Sequence, residues 1–376
     1  MKNTIIFLLF FFMLVHSQCT RKHVLEYTNP ITAGIDTNGL RDCQVFRDGE
    51  WWYMTGTSYP HWVAQEITGN LNKGVALYRS KDLTNWNFVK YIIERPASGK
   101  WYYRRFWAPE IHKIGNKYYT LFNCNNDSLG FKGQNGGYAV ADQIEGPYTI
   151  ISEDKPLTKG NDLTFFQDDD GSVWAFWNNG PIVFAKIDVV SGKFLTEPKI
   201  AILKGSTADY EYDKNGVVVT EPWYYDGRQI PKVTKLVSWD AIGIEGSYVI
   251  KNSGTYYLFY SSWTRGYEVG YATASKIDGP WTKHPSNPFY GAQSKAVCAR
   301  NGLVWNGDEK SPFQQVGHNA IFKGPDGRLW ISCHGSVNRG KPFLVMDPIW
   351  FDKDGNVKSN GPTYTKQTIN LSTQNK

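Results

Sequence analysis

A hairpin pattern recurs five times along this chain of 376 residues. Each copy consists of a short strand, a turn that contains a glycine and a second strand rich in aromatic residues. The turn glycines are separated by 66, 56, 83 and 73 residues and are Gly49, Gly115, Gly171, Gly254 and Gly327. Such spacing is typical of a repeat architecture, in which each unit buries its apolar face against the next unit.

Further strand patterns follow the hairpins, as in Leu77-Tyr78-Arg79-Ser80 after the first and Phe184-Ala185-Lys186-Ile187 after the third. About four strands per unit, with little helical periodicity, predict an all-β, single-domain protein with the fold of a five-bladed β-propeller. The alternative is a β-sandwich with accidental repetition. We expect the propeller to occupy residues 40–360, after an N-terminal segment over 19–39 and before a C-terminal tail over 361–376.

The starts of the hairpins contain the candidate functional residues. The first strand of each propeller blade lines the central channel, so residues at the starts of these strands meet on one face. Counting back from the turn glycines places Asp42, Asp162, Glu245 and His318 there, and the second repeat offers Trp107-Ala108-Pro109-Glu110. Folding does not require three carboxylates at one place, and their mutual repulsion indicates a functional site.

Three carboxylates around one cavity are suited to the hydrolysis of a glycosidic bond. One delivers a proton to the leaving oxygen, and a second activates water or attacks the anomeric carbon. The third raises the pKa of the acid by like-charge repulsion. The aromatic content of 15% suits both a large β core and the stacking of aromatic faces on sugar rings.

The same stretches resemble those of glycoside hydrolase family 43. Arg41-Asp42 resembles the segment that carries the general base, Asp162 lies in one similar to that of the pKa-modulating aspartate, and Ile244-Glu245-Gly246 resembles that of the general acid. The resemblance extends over residues 40 to 358 and implies an inverting mechanism. The prolines that usually follow these three motifs are replaced by Cys43, Leu163 and Ser247.

Other recurring stretches of the family are matched by Trp107-Ala108-Pro109-Glu110 and Gly317-His318. The resemblance therefore implies substrate-binding roles for Trp107, Glu110 and His318, and for Arg339, which is similar to a substrate-contacting arginine of the fifth blade. It also implies a candidate structural calcium ion on the propeller axis with His318 as a metal ligand, but no cofactor that the reaction requires. The ordinary alternatives are a core tryptophan, a hydrogen-bonded core histidine and a solvated arginine.

Two other groups of acidic residues are weaker candidates. Asp168-Asp169-Asp170 lies in a hairpin turn and is interpreted as structural, because aspartate favours turns. A long insertion in the third unit, residues 203–243, could fold over the cavity and supply another acid from among Glu211, Asp213, Glu221, Asp226 and Asp240. Their spacing has no relation to the repeat, so we do not expect this.

The resemblance implies an exo-acting enzyme that releases a terminal pentose from a plant-type polysaccharide or oligosaccharide. The first choice of sugar is α-L-arabinofuranose and the second is β-D-xylose. Alternatives on the same fold are a β-galactofuranosidase, a galactanase and an anhydrogalactosidase. A propeller that binds carbohydrate without cleaving it is the alternative from another class of protein.

The N-terminal residues predict export. Lys2 precedes an apolar run over residues 5–15, which is too short to span a bilayer but fits a signal peptide over residues 1–18. Cys19 is an alternative lipidation site. We therefore expect a secreted or periplasmic protein, or a surface lipoprotein with no other membrane attachment.

Charge and cysteine content limit the partners. The formal net charge is +6 without a basic run, so nucleic acid is not an expected partner. The cysteines other than Cys19 are Cys43, Cys124, Cys298 and Cys333. They permit two disulfides in three pairings, although a core of this size makes disulfides dispensable. The oligomeric state is left open by the sequence.

Overall fold

The computed structural model describes residues 24–66, 70–223, 226–338 and 340–371. The predicted signal peptide, Cys19 and Arg339 lie outside the described residues. No helix within these ranges has both the length and the apolar character needed to cross a membrane.

The first three blades are antiparallel sheets that follow one another along the chain. Strand β1 (Val24–Tyr27) precedes them. Blade 1 contains β2 (Leu40–Asp48), β3 (Trp51–Ser58), β4 (Gly74–Ser80) and β5 (Asn87–Glu94). Blade 2 contains β6 (Arg104–Ile114), β7 (Lys117–Asn126), β8 (Phe131–Ala141), β9 (Thr149–Ile150) and β10 (Thr158–Lys159). Blade 3 contains β11 (Asn161–Gln167), β12 (Val173–Asn178), β13 (Ile182–Asp188), β14 (Lys193–Phe194) and β15 (Lys199–Ile202).

Two more sheets complete the ring, after a hairpin of β16 (Thr220–Pro222) and β17 (Gln229–Pro231) in the insertion. Blade 4 contains β18 (Glu245–Asn252), β19 (Thr255–Ser262), β20 (Gly266–Ala274), β21 (Thr282–Lys283) and β22 (Tyr290–Gln293). Blade 5 contains β23 (Phe313–Lys323), β24 (Leu329–Val337), β25 (Pro342–Phe351) and β26 (Val357–Ser359), and β27 (Gln367–Asn370) follows it. The short helices are α1 (Lys295–Arg300) and two 3₁₀ turns, Val63–Gln65 and Asp127–Leu129. The predicted five-bladed β-propeller is confirmed.

The two innermost strands of each blade are the predicted hairpins. The turn glycine of every hairpin has a positive φ, for example 57° at Gly49 and 82° at Gly254. A side chain would make this conformation costly, which explains why the repeat places glycine there.

The apolar core lies in the seams between neighbouring blades. The seam between blades 5 and 1 contains the buried residues Trp330, Leu344 and Met54, and the seam between blades 3 and 4 contains Phe176 and Tyr260. Burying each large side chain contributes about 1.5–3 kcal/mol. Because every blade packs on two others, the seams close the ring and fix the innermost strands around the axis.

The segments that flank the predicted propeller pair with each other, since β1 and β27 form a two-stranded sheet. The carboxylate of Asp347 in β25 accepts hydrogen bonds from the hydroxyls of Tyr27 (3.0 Å) and Tyr290 (2.6 Å). The backbone N–H of Ile31 also donates to the carbonyl of Leu344 (2.7 Å). The N-terminal segment is thus attached to blade 5.

The four cysteines of the described residues, Cys43, Cys124, Cys298 and Cys333, are buried free thiols. The disulfides that their even number permits do not form among these residues. Burial raises the pKa of the Cys43 and Cys124 thiols, which keeps them protonated and unreactive.

Candidate active site

Each innermost strand carries a β-bulge close to its start. In β2, the pairing passes from Arg41 opposite Thr57 to Gln44 opposite Thr55, so one extra residue is inserted. The same shift occurs in β6, β11, β18 and β23. In every blade, the residue that follows the last regular pair before the bulge has a positive φ. From blade 1 to blade 5, these residues are Asp42, Ala108, Asp162, Gly246 and His318. Bulges re-aim side chains, and Asp and His tolerate this conformation better than most residues.

Polar side chains on the second strands hold the bulges in place. Thr57, Ser261 and His334 each lie opposite the start of the bulge in their own blade. Their side chains accept hydrogen bonds from backbone N–H groups in the bulge of the next blade. Thr57 accepts from Ala108 (2.7 Å), Ser261 from His318 (2.9 Å) and His334 from Asp42 (3.0 Å). These contacts fix neighbouring blades relative to one another at the level of the site.

The register predicted for Glu245 differs from the structure by one residue, because the hairpin turns differ in length. Counting from the turn glycines placed Glu245 level with Asp162 and His318. In the structure Gly246 is the bulge residue of β18, and Glu245 lies one position earlier, opposite Ser261. The acid therefore approaches the axis from a position equivalent to Arg41 in blade 1.

All three predicted carboxylates line one cavity of about 250 Å³, on the face where the innermost strands begin. Trp107 and His318 also line it. Glu110, which was predicted to bind substrate, is not among the lining residues. Its Oε2 lies 2.6 Å from Nε2 of His112 and accepts a hydrogen bond from Thr164 (2.6 Å). The bulge ends before Glu110, where normal pairing resumes.

Asp42 is buried among groups that favour its ionised form. The hydroxyl of Thr57 donates to its Oδ2 (2.6 Å), and Oδ1 lies 3.7 Å from the Arg41 guanidinium and 3.4 Å from Nδ1 of His318. Burial alone would raise the pKa of Asp42, but Arg41, His318 and His334 outweigh it and hold this pKa well below its usual range. Among the described residues, none donates a hydrogen bond to Oδ1. Asp42 can therefore accept a proton.

Asp162 lies in the opposite electrostatic environment. Burial raises its pKa to about 7, against the effect of His318 and with further increases from the Glu245 and Asp42 carboxylates. Its Oδ2 accepts a hydrogen bond from the backbone N–H of Gly246 (2.9 Å), the residue after Glu245. Asp162 thus holds the backbone beside Glu245.

Short contacts connect Asp42 to Glu245 across the cavity. Nδ1 of His318 lies 3.4 Å from Oδ1 of Asp42 and 3.3 Å from the Tyr267 hydroxyl, and that hydroxyl donates to Oε1 of Glu245 at 2.5 Å. The two carboxylate oxygens can be no farther apart than these contacts laid end to end. That length is below about 9.5 Å, the upper limit for the two carboxyl groups of an inverting glycosidase.

A family model described as glycosyl hydrolases family 43 matches residues 27–357. The chain belongs to this family. The match includes the three carboxylates of the cavity and all five blades.

Known members show how far the likeness of this family 43 chain extends. It is 24% identical over 360 residues to the xylosidase/arabinosidase 43B of Humicola insolens, covering 90% of this chain and 56% of that protein. It is 25% identical over 309 residues to a β-D-galactofuranosidase of Aspergillus niger, covering 74% and 72%. A crystal structure of a thermostable family-43 glycoside hydrolase superimposes with a TM-score of 0.66 at 23% identity, over 92% of this chain and 99% of that one. At this identity, the structural match supports the fold alone.

The chain spans about half the length of the first curated relatives it matches. The names of these relatives include both a xylosidase/arabinosidase and a putative β-xylosidase. Membership of family 43 therefore leaves the sugar open.

The donor set near His318 does not fit the calcium ion that the sequence predicted for this family 43 chain. One ligand atom each from Asp162, Glu245 and His318 lies within 4.8 Å of the others. Calcium takes about six to eight oxygen ligands. This group offers one imidazole nitrogen and two carboxylates, and each carboxylate already accepts a hydrogen bond, from Gly246 or from Tyr267.

His318 instead brings positive charge to the cluster. Burial lowers its pKa, but the carboxylates of Asp42, Asp162 and Glu245 outweigh burial and raise it. An imidazolium among three carboxylates reduces their mutual repulsion.

The insertion does not contribute to the described cavity lining, since none of its described residues, 203–223 and 226–243, is among the lining residues. Asp240 is buried and lies 2.6 Å from Nζ of Lys283. The acids of the insertion are therefore not brought to the site.

Several residues at the cavity were not predicted from the sequence. Tyr267 is the second residue of the third strand of blade 4, and Trp62 and Trp263 follow second strands; all three line the cavity. His334, in the second strand of blade 5, is not among the described lining residues but contacts Asp42 (Nδ1–Oδ1 3.3 Å). Trp62 is 41% exposed and stacks on the guanidinium of Arg41 at 3.7 Å. Of these residues, only His334 could have been found from the sequence. The aromatic second strands of the five blades end in polar residues that lie opposite the bulges, and His334 is one of these polar residues.

Proposed function

We propose that this protein is an inverting, exo-acting glycoside hydrolase that releases a terminal pentose. The observation that carries the proposal is the meeting of Asp42, Asp162 and Glu245 in one cavity, with Asp42 held ionised and Asp162 favoured in its protonated form. Two carboxyl groups with such different proton affinities are typical of acid–base catalysis.

In the proposed reaction, Asp42 is the general base and deprotonates the attacking water. Its low pKa, maintained by Arg41, His318 and His334, keeps the base ionised at neutral pH. Thr57 holds one carboxylate oxygen and so orients the carboxyl group toward its task.

Glu245 is the general acid and protonates the leaving oxygen. The Tyr267 hydroxyl donates to Oε1, which orients the carboxyl group in the cavity. Asp162 lies beside this acid, and its Oδ2 accepts the backbone N–H of Gly246 (2.9 Å), which positions the acid. Asp162 and Glu245 repel each other when both are ionised, which disfavours the state in which neither carries a proton.

Inversion is proposed from the resemblance of the Asp42 and Glu245 segments to the family's base and acid segments. The contact chain between Asp42 and Glu245 is compatible with it, because the chain keeps the two carboxyl groups below the upper limit of about 9.5 Å for inverting enzymes. The cavity volume of about 250 Å³ lies below the range of about 300–1,000 Å³ that is usual for drug-sized ligands. A space of this size suits one sugar ring. Trp107 lines it and offers a flat apolar face for stacking.

Among pentoses, α-L-arabinofuranose is the first choice and β-D-xylose the second. The relatives named as a xylosidase/arabinosidase and as a β-xylosidase support both sugars. A parallel screen of arabinofuranoside, xyloside and galactofuranoside substrates ranks them directly. Turnover of the galactofuranoside alone would contradict the choice of a pentose.

The catalytic assignment is tested with Glu245→Gln and Asp42→Asn. Each variant is expected to lower kcat by about 10²-fold or more on a substrate with a poor leaving group while the circular dichroism spectrum is kept. Asp169→Ala, a substitution of an exposed acid in a hairpin turn, is the matched control and is expected to retain activity. If the sugar binds in calorimetry but the wild type yields no product from any of the glycosides, the protein is a binding propeller instead.

A further inference from the structure

Two side chains of the cavity, His318 and Tyr267, connect the proposed base to the proposed acid. Both are buried. Nδ1 of His318 lies between Oδ1 of Asp42 (3.4 Å) and the Tyr267 hydroxyl (3.3 Å), which donates to Oε1 of Glu245 (2.5 Å). Each contact is 3.4 Å or shorter. The contact between Asp42 and His318 is not aligned as a hydrogen bond, so the His318 ring must rotate for a proton to pass across it.

An inverting cycle leaves the two carboxyl groups in the wrong protonation states. Asp42 has gained a proton from water, and Glu245 has lost one to the leaving group. If Glu245 took its proton from hydronium at pH 8, an encounter limit of about 10¹⁰ M⁻¹ s⁻¹ would give about 10² s⁻¹. Because ordinary kcat values are about 1–10³ s⁻¹, recovery of the acid can limit turnover at alkaline pH.

We propose that His318 and Tyr267 relay the proton from Asp42 back to Glu245 after each cycle, an inference that rests on the proposed hydrolytic function. The Nδ1 proton of His318 passes to the Tyr267 oxygen while the Tyr267 hydroxyl proton passes to Oε1 of Glu245. The carboxyl proton of Asp42 then passes to Nδ1 of His318. Each bond to hydrogen that breaks is replaced by one that forms, and the imidazolium and the phenol regain their initial states.

The charges that face the relay favour its resting state. His318 faces the carboxylates of Asp42, Asp162, Glu245 and, beyond them, Glu110, which together favour the imidazolium. Tyr267 faces the carboxylates of Glu245 and Asp42 and the guanidinium of Arg41, and burial with the two carboxylates raises its pKa well above its usual range. The phenol therefore stays neutral and passes a proton only as it receives one.

The fold holds both relay groups in place. The backbone N–H of His318 donates to Ser261 of the neighbouring blade (2.9 Å). A Cβ at Gly317 would lie 2.6 Å from the Tyr267 ring, so this glycine leaves room for the ring beside the histidine. The two relay groups are thus held by residues of two blades.

The test compares Tyr267→Phe with Tyr271→Phe, a control in the same strand whose hydroxyl accepts the backbone N–H of Val357 (3.2 Å). The substrate is an alkyl glycoside of the sugar that the wild type releases, because a poor leaving group needs the proton of Glu245. In dilute buffer, at a pH where about 10¹⁰ M⁻¹ s⁻¹ times the hydronium concentration is one tenth of the wild-type kcat, Tyr267→Phe is expected to lose about tenfold more in steady-state kcat than in its single-turnover rate. Added imidazole buffer is expected to restore this kcat, and Tyr271→Phe should resemble the wild type throughout.

A merely structural role for Tyr267 predicts equal losses in single and multiple turnovers, with no rescue by buffer, and that result would overturn the relay. His318→Gln provides a second interruption and should also show rescue by imidazole. If the wild type hydrolyses no glycoside, the proposed function fails. If it is active but neither variant responds to buffer, only the relay fails.

Discussion

Replacing Asp162 with asparagine is expected to stabilise the fold at pH 8, whereas Asp42→Asn is expected to destabilise it. Both carboxylates are buried in one cavity, and both substitutions remove one negative charge while keeping an oxygen that can accept the existing hydrogen bond from Gly246 or Thr57. The difference lies in the electrostatic environment. Asp42 is surrounded by Arg41 and two histidines, whereas Asp162 is dominated by burial.

The size of the effect at Asp162 follows from its pKa. The pKa rises from 3.8 in the unfolded chain to about 7 in the folded protein, and each pKa unit corresponds to about 1.4 kcal/mol. Ionised Asp162 therefore costs the folded state up to about 4 kcal/mol above pH 7. Below pH 3.8 the group is protonated in both states, so the cost disappears. Asp162→Asn should thus gain stability that is largest above pH 7 and declines to nothing as the pH falls to about 4.

The charge of Asp42 has the opposite effect on the free energy of unfolding. Its folded pKa lies below 3.8, so its charge stabilises the fold above pH 3.8 and this contribution is lost as the pH falls through the folded pKa. Urea denaturation of the wild type and both variants from pH 4 to pH 8 gives the comparison, with the midpoint and the m-value fitted separately. A loss of stability in Asp162→Asn at pH 8, or a gain that does not change with pH, would refute the reasoning.

Two further predictions concern contacts around the site and between blades. Thr57→Val leaves Oδ2 of Asp42 and the N–H of Ala108 without their partner, and should lower the unfolding free energy in urea by about 1–3 kcal/mol and also lower kcat. Thr57→Ser should retain the stability and the activity. Equal behaviour of the two variants would show that the hydroxyl of Thr57 does not matter. Asp168→Ala removes a hydrogen bond from Tyr256 (2.7 Å) and an ion pair with Lys251 (3.1 Å), and should lower the unfolding free energy by about 1 kcal/mol without changing kcat. Asp169→Ala, at an exposed residue, should change the unfolding free energy little.

The sequence predicted the blades well, because the physical requirement for them is local. Each hairpin needs a glycine with positive φ at its turn, and the five glycines therefore mark the repeat. The starts of the innermost strands could be counted back from these turns, which brought Asp42, Asp162 and Glu245 together before any coordinates were known.

The rest of the site depends on features that a count of residues does not contain. The turn between β11 and β12 has five residues and that between β18 and β19 has two, so a count back from the turn glycine misplaces Glu245 by one position. Glu110 lies where normal pairing resumes after the bulge of β6, outside the cavity lining. Tyr267 reaches the cavity from a third strand and Trp62 from a loop. Neither the strand nor the loop lies at a constant number of residues from the turn glycine. Whether a calcium ion fits likewise depends on which carboxylate oxygens already accept hydrogen bonds. The sequence does not contain this information, which comes from the contacts of Asp162 and Glu245.

The anomeric configuration of the first sugar released is the most direct test of the account. If Asp42 activates water opposite a leaving group that Glu245 protonates, proton NMR of the wild-type reaction will show the inverted anomer first, for example a β-anomer from an α-arabinofuranoside, before mutarotation mixes the two forms. Initial appearance of the retained anomer would require a covalent intermediate and would contradict the assignment of Asp42 as a base.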